Sequence, residues 1–155
     1  MGKETFLRDG RLLDPSILLE IYLDAYRNHP QYGETSSKRA KRYLDWLKRH
    51  ATLFEVAYLG DRPVGWMVMD ADWEGDESAE LHELVVRRDD QGRGIGSLLL
   101  KRAIEEAKKL GKKELRLWVG RENEKAIAFY RRHGFEPLYT VGDWLRMRRR
   151  LESTS

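Results

Sequence analysis

Apolar residues change their spacing along the chain, and this pattern divides it into helices and strands. Helical spacing recurs between residues 14 and 50, first after the N-capping pair Asp14-Pro15 and again from about residue 35. From Phe54 onward the apolar residues alternate or form short runs, as in strands, and the Gly-Asp-Arg-Pro segment at 60–63 predicts a hairpin turn. The predicted elements are, in chain order, a strand at 5–7, helices at 14–27 and 35–50, strands at 54–59, 64–71 and 80–86, a helix at 95–110, a strand at 114–119, a helix at 123–132, and strands at 135–140 and 144–150.

The segment 80–110 combines a buried strand, a glycine-rich loop and a long amphipathic helix. Its loop reads Gln91-Gly92-Arg93-Gly94-Ile95-Gly96, and Ser97 follows in the first turn of the helix. Glycines at alternate positions let the backbone approach a ligand, and the first N–H groups of a helix have no intrahelical partner. The loop is therefore suited to bind an anion such as a pyrophosphate through the N–H groups of residues 91–97. An ordinary strand-to-helix turn would show the same glycines, whereas the spacing excludes a G-x-G-x-x-G fingerprint and a P-loop.

Composition narrows the class of protein. With 155 residues, 41% of them hydrophobic, the chain is expected to form one domain over residues 1–155. It has no cysteine and no apolar run long enough for a signal peptide or a membrane span, so we expect a cytoplasmic protein with no membrane partner. The net charge of +3, from 29 basic and 26 acidic residues, is too balanced to indicate a nucleic-acid partner. The 35% share of charged residues resembles the composition of a thermophile protein.

Two motifs together resemble the GCN5-related N-acetyltransferase (GNAT) superfamily. The loop at 91–96 matches the family's phosphate loop, Q/R-x-x-G-x-G/A, and the segment 123–135 is similar to its N-x-x-A-x-x-x-Y-x-x-x-G-F pattern, with Ala126 and Tyr130 in place. The resemblance covers residues 80–138 and implies an α/β fold, a central mixed sheet with helices on both faces. It also implies an N-acetyltransferase that uses acetyl-CoA as co-substrate and no metal.

The resemblance further implies roles for individual residues. Family members free backbone groups of the central strand to bind the pantetheine arm and the thioester oxygen, and the matching residues here are Leu84, Val85 and Val86. Tyr130 matches the tyrosine that protonates the departing thiolate. Asn123 is expected to cap the helix that carries Tyr130 and to face the pantetheine.

The base that deprotonates the amine is expected on the strand at 80–86. Family members place a Glu or His base at the positions that match Glu80 and His82, and we predict that these two act together through water. Strict alternation puts both on one face of the sheet, with Leu84, and puts Glu83 on the opposite face. Glu83 is the alternative base, should a bulge reverse the alternation.

Acidic residues crowd the segment that leads into this strand. They are Asp70, Asp72, Glu74, Asp76, Glu77 and Glu80. Their field predicts a cationic acceptor, whether a small amine, a polyamine or an amine of a protein or peptide. A solvated hairpin loop would carry the same charges, so the acceptor stays open, as does a homodimer.

Two other classes of function remain as alternatives. A non-catalytic acyl-CoA-binding or regulatory module on the same fold is disfavoured by the presence of Glu80, His82 and Tyr130. A nucleic-acid binder would use the arginine-rich strand at 144–150, but no RNA-binding aromatic motif accompanies it. An acetyltransferase is therefore the leading hypothesis.

Overall fold

The computed structural model describes residues 4–152, and every predicted helix and strand is present in it. The strands are β1 (Thr5–Asp9), β2 (Leu53–Leu59), β3 (Arg62–Asp70), β4 (Ser78–Val86), β5 (Glu114–Gly120), β6 (Glu136–Val141) and β7 (Trp144–Arg150). The helices are α1 (Pro15–Ala25), α2 (Ser37–His50), α3 (Ile95–Lys109) and α4 (Glu124–Arg132). Three short 3₁₀ turns, at Gly10–Leu12, Pro30–Tyr32 and Arg88–Asp90, are not predicted by the apolar pattern.

All seven described strands form one sheet in the order β1-β2-β3-β4-β5-β7-β6. Neighbouring strands are antiparallel except β4 and β5, which are parallel. Helices α1 and α2 cover one face of the sheet, and α3 and α4 cover the other. The predicted fold class, a mixed sheet with helices on both faces, is confirmed.

Each face of the sheet has its own apolar core. On the α3 side, residues at helical spacing such as Ile95 and Leu99 are buried against the sheet. On the α1–α2 side, Trp66 is fully buried, and its indole N–H donates to the Leu18 carbonyl at 3.1 Å. The two cores hold β3 and β4 rigidly between helices, and the candidate site is built on that frame.

Helix starts differ in a way that matters for the site. The side chains of Asp14, Ser36 and Asn123 each accept a hydrogen bond from a first-turn N–H group of α1, α2 and α4, and the cap at Asn123 is as predicted. The N-cap residue of α3 is instead Gly94, which has no side chain that could accept such a hydrogen bond. The first N–H groups of α3 are thus left for another partner.

Strands β4 and β5 pair only where they begin. The register joins Ser78, Ala79 and Glu80 of β4 to residues 114–116 of β5. Beyond Glu80 the two strands diverge, and residues 81–86 line an opening. Such an opening is what the family resemblance implies for this strand.

A bulge in β4 changes which side chains share a face. Leu81 and Glu83 pair with consecutive residues of β3, so His82 is an extra residue in β4. One extra residue shifts the alternation of every side chain that follows. The strict alternation predicted from the sequence is therefore wrong beyond Leu81, because Leu84 packs in the core on the α3 side and Glu83 lies with Glu80 on the α1–α2 side.

Candidate active site

The opening between β4 and β5 continues into a cleft of about 1110 Å³. Its walls come from the second halves of both strands, the glycine-rich loop, α4, and residues of α1 and the segment 29–34. A pocket for one small ligand has typically about 300–1,000 Å³. The cleft is therefore slightly larger than a typical pocket for one small ligand.

The glycine-rich loop forms one end of the cleft. Gly92 and Gly94 have φ angles of +80° and +81°, and a Cβ atom at either position would stand in open space. The missing side chains thus leave room for a ligand against the backbone. Of the predicted loop residues, the ones that line the cleft are Gln91, Gly92, Gly94, Gly96 and Ser97. Ile95 is buried in the core, and the Arg93 guanidinium lies 3.8 Å from Asp90. The predicted role of Ile95 and Arg93 in binding the cofactor therefore depends on their backbone N–H groups.

Hydrogen bonds hold this loop in place. The Gln91 side chain donates to the Val86 carbonyl at 3.2 Å and accepts from Lys125 Nζ at 3.3 Å, which links β4 to α4. The buried carboxylate of Asp90 accepts from Arg62 Nη1 at 2.8 Å. The loop is thus organised by protein contacts alone, which lowers the entropy that a ligand must overcome on binding.

The residues of β4 that are predicted to offer backbone contacts line the cleft. Leu84, Val85 and Val86 all line it, while their side chains belong to the apolar cores. Asn123 lines it as well, from the start of α4. Because the side chains of Leu84, Val85 and Val86 pack in the cores, the part of β4 that faces the cleft is its backbone.

Glu83 lies where the cleft meets α1 and α2. Its Oε1 accepts a hydrogen bond from the Tyr26 hydroxyl, and its Oε2 accepts one from the Tyr43 hydroxyl at 2.8 Å. Burial raises the pKa of Glu83 to about 7, because its effect exceeds the lowering by the two hydroxyl donors. A carboxylate with a pKa near neutrality is suited to accept a proton at physiological pH.

His82 also lines the cleft, but its ring is held in an aromatic cluster. The Nε2 atom lies 2.9 Å from Oδ2 of Asp70, and the ring packs edge-on against Trp46 and Trp73. Burial lowers the pKa of His82, although Asp70 acts in the opposite direction. The imidazole is therefore neutral near pH 7, with one nitrogen already engaged by Asp70.

Glu80 does not line the cleft. It is 3% exposed, and its two oxygens accept hydrogen bonds from Arg146 at 2.6 and 2.8 Å. Arg146 is fully buried and also pairs with Glu74 at 3.1 Å. Glu80 is therefore not available as a free base in this geometry, because both of its oxygens take part in a buried ion pair with Arg146.

We expect Glu80→Gln to lower the free energy of unfolding by about 1–3 kcal/mol, since it leaves the buried Arg146 short of a charged partner. Glu74 remains beside the guanidinium and limits the loss. Chemical denaturation measures the change, and Glu77→Gln, which removes an exposed pair with Lys113, is the control expected to leave stability unaltered. An inactive Glu80→Gln protein of undiminished stability would instead make Glu80 a direct participant in the chemistry.

Tyr130 lines the cleft from α4. Its ring packs against Phe129 and Phe135, with centroids 5.2 and 5.6 Å away. Burial, and secondly the charge of Glu83, raise the pKa of Tyr130, so its hydroxyl stays protonated at neutral pH. One cleft thus holds a carboxylate able to accept a proton and a phenol able to donate one.

The acidic residues between β3 and β4 lie outside the cleft. Several of them are paired, Asp70 with His82, Glu74 with Arg146, and Glu77 with Lys113. Among residues 4–152, the carboxylates that line the cleft are Glu34 and Glu83. The geometry therefore gives no support to attraction of an acceptor by the acidic segment.

Three arginines of β7 are also paired with carboxylates. Arg146 binds Glu80, while Arg148 and Arg150 lie 3.0 and 3.6 Å from Glu136. These pairs lower the positive field of the strand, which is the feature that a nucleic-acid partner would need.

Sequence reasoning missed several residues of the cleft. Helical spacing places Tyr43 on the inner side of α2, but it does not reveal that its hydroxyl binds Glu83. Trp118 of β5 and Trp144 of β7 line the cleft as well. Alternation along β5 and β7 could have placed them opposite the α3 core, yet their proximity depends on the pairing of these strands.

Metal binding and membrane insertion each require particular side chains. Among residues 4–152, no three or more His, Cys, Asp and Glu side chains come together in a way that could hold a metal ion. Over the same described range, no helix combines the length and apolar character needed to cross a membrane.

Known proteins are similar to this chain in sequence and in architecture. The sequence model of the acetyltransferase (GNAT) family matches residues 17–135. An uncharacterized N-acetyltransferase of Methanocaldococcus jannaschii is 45% identical over 138 residues, which cover 86% of this chain and only 61% of that relative's length. A crystal structure of a Pyrococcus horikoshii protein matches with a TM-score of 0.85 at 31% identity, over 96% of this chain and 99% of the other. The PaiA N-acetyltransferase of Thermoplasma acidophilum, solved in complex with coenzyme A, has a TM-score of 0.79 at 22% identity, over 95% and 99% of the two chains.

Proposed function

The chain belongs to the acetyltransferase (GNAT) family, and on this basis we propose that it is a cytoplasmic, acetyl-CoA-dependent N-acetyltransferase that acetylates a primary amine by direct attack in a ternary complex. The observation that carries the proposal is the shared cleft, where the glycine loop, Glu83 and Tyr130 line one cavity. The reaction to measure is thiol release from acetyl-CoA that depends on an added amine.

The loop end of the cleft fits a pyrophosphate. Gly92 and Gly94 present open backbone, and α3 begins without a side-chain cap, so first-turn N–H groups are available to phosphate oxygens. The backbone of Leu84–Val86 lies next along the cleft, in position for the amide groups of a pantetheine arm. Acetyl-CoA, when bound there, supplies an acetyl thioester. The fold shared with a coenzyme A complex supports the same placement.

We assign the base to Glu83, in place of the Glu80 and His82 pair predicted from the sequence. Glu83 lines the cleft with a pKa of about 7, whereas both oxygens of Glu80 bind Arg146 outside it. His82 is the second candidate, because it lines the cleft as a neutral imidazole. Its Nε2 is engaged by Asp70, which leaves only Nδ1 to act.

The two proton transfers are divided between Glu83 and Tyr130. Glu83 accepts the proton that the amine nitrogen loses as it bonds to the acetyl carbon. Tyr130 donates its proton to the sulfur as the carbon–sulfur bond breaks. In this proposal, backbone N–H groups of the diverging part of β4 stabilise the charge that develops on the thioester oxygen, which is supported by the absence of β5 pairing beyond Glu80 among the described residues.

We expect Tyr130→Phe to lower kcat by about 10- to 100-fold with little change in acetyl-CoA affinity. The variant removes the hydroxyl and keeps the ring packed on Phe129 and Phe135. The loss is moderate because a thiol, with an ordinary pKa of about 8.5, needs less help to leave than a stronger base would. Steady-state kinetics measures the loss, and Tyr58→Phe, at a tyrosine of β2 that does not line the cleft, is the control. Unchanged turnover in Tyr130→Phe would reduce this residue to a packing role.

A further inference from the structure

Where the segment 29–34 meets β5, β6 and β7, the cleft is lined by aromatic and apolar side chains that are half-buried or exposed. We call this surface, formed by Tyr32, Trp118, Val141 and Trp144, the aromatic rim. Building on the proposed N-acetyltransferase function, we propose that the acceptor is a primary amine joined to an aromatic or large aliphatic group, which binds on the aromatic rim. The amine can be free or can be the N-terminus of a peptide, since the chemistry at the rim is the same.

Strand pairing makes the rim one continuous surface. Gly120 of β5 lies opposite Trp144 of β7, and Trp144 lies opposite Val141 of β6. Trp118 is two residues before Gly120, so it projects to the same side of the sheet. This is the α1–α2 side of the sheet, because Leu117 and Val119, the two neighbours of Trp118 in β5, are buried on the α3 side.

Tyr32 closes the rim over Gly120. A Cβ atom at Gly120 would lie 2.2 Å from the Tyr32 ring, so only glycine lets this ring lie against the strand. The same ring meets Trp144 edge-on, with centroids 6.2 Å apart. Tyr32 thereby joins the segment 29–34 to β5 and β7.

The rim is unusually exposed for its composition. Trp118 is 38% exposed, Trp144 37% and Val141 58%. Adjacent exposed apolar side chains that line a cavity are typical of a binding surface, because they gain free energy when a ligand covers them. Aromatic rings in particular favour stacked or edge-on contact with another ring.

Charges around the rim favour a single amine over a polyamine. Arg146 lies under Trp118, with its guanidinium carbon 4.9 Å from the ring centroid, and its charge is compensated by Glu80 and Glu74. The acidic segment that would attract several ammonium groups lies outside the cleft. Of the two described carboxylates that line the cleft, Glu83 is assigned to the reacting nitrogen and Glu34 lies on the segment 29–34, while the four rim side chains themselves carry no charge.

The test compares matched acceptors in wild-type protein and in two rim variants. We expect 2-phenylethylamine to have a kcat/KM at least about tenfold above that of propylamine or putrescine, because its ring is covered by the rim. Trp118→Ala and Trp144→Ala should each raise KM for 2-phenylethylamine about tenfold while leaving KM for propylamine and for acetyl-CoA unchanged. Leu12→Ala, at an exposed apolar residue far from the cleft lining, is the control and should change neither. Peptides that begin with Phe or with Ser, used in the same way, show whether the amine is free or N-terminal.

The outcomes separate this inference from the proposed function. Equal or better use of propylamine or putrescine, or variants that affect all amines alike, would overturn the aromatic acceptor while leaving an N-acetyltransferase. If no amine releases thiol, the proposed function fails, and quenching of tryptophan fluorescence by 2-phenylethylamine then decides the inference. Saturable quenching that Trp118→Ala weakens supports the rim as a binding surface, and quenching equal to that by propylamine contradicts it.

Discussion

Glu83→Gln is expected to lower kcat on the order of 1,000-fold, the largest loss of activity that we predict for a single substitution. The neutral form of the amine attacks, and its nitrogen must lose one proton as it bonds to the acetyl carbon, which is the proton that Glu83 accepts. The amide of Gln has the size of the carboxylate but cannot accept the proton. Its oxygen still accepts from Tyr26 or Tyr43, so the fold should be retained, as thermal unfolding can show.

The pH dependence of kcat/KM gives the same assignment a second test. The pKa of Glu83 is about 7, raised by burial, so the carboxylate is protonated below this pH and ionised above it. Activity should therefore rise as pH increases through about 7, and Glu83→Gln should lack this inflection. Tyr43→Phe removes a hydrogen bond that lowers the pKa of Glu83, so it should move the inflection to higher pH. An inflection that persists in Glu83→Gln would transfer the role of base to His82.

Gly94→Val should weaken acetyl-CoA binding on the order of 100-fold. The φ angle of +81° strains any β-branched residue, and the new side chain would occupy the space beside the loop where a phosphate group must lie. Loss of one or two charge-assisted hydrogen bonds, each worth about 1.5–3 kcal/mol, accounts for the magnitude. Isothermal titration calorimetry with coenzyme A measures it directly.

Gly111→Val is the control that distinguishes the effect of backbone strain from the loss of the binding site. Gly111 follows the other end of α3 with a φ of +75°, and a Cβ there would also meet open space, but it does not line the cleft. The control should be destabilised like Gly94→Val and should bind coenzyme A like the wild type. Equal affinity in both variants would remove the glycine loop from the site.

Features encoded by neighbouring residues could be predicted from the sequence. The φ > 0 glycines of the loop, the cap at Asn123 and the periodicity of the four helices each depend on residues within a few positions of one another. For this reason the elements and the glycine loop were found, and the family resemblance added their arrangement in a sheet.

Features that depend on distant pairing could not be predicted in the same way. The bulge at His82 is defined by the register of β4 on β3, and a shift of one residue exchanges Glu83 for Leu84 on the α1–α2 side. The bond from Arg146 to Glu80 joins residues 66 apart, so neither side chain alone reveals that Glu80 is unavailable as a free base. The aromatic rim likewise exists only once β5, β7 and β6 are side by side.

Amine-dependent thiol release from acetyl-CoA, followed with purified protein and a panel of primary amines, tests the central claim most directly. We expect turnover that requires both acetyl-CoA and an amine, yields an N-acetylated product by mass spectrometry, and falls together in Glu83→Gln and Gly94→Val. Coenzyme A binding without turnover on any amine in the panel would contradict the enzyme and would instead support a non-catalytic acyl-CoA-binding module.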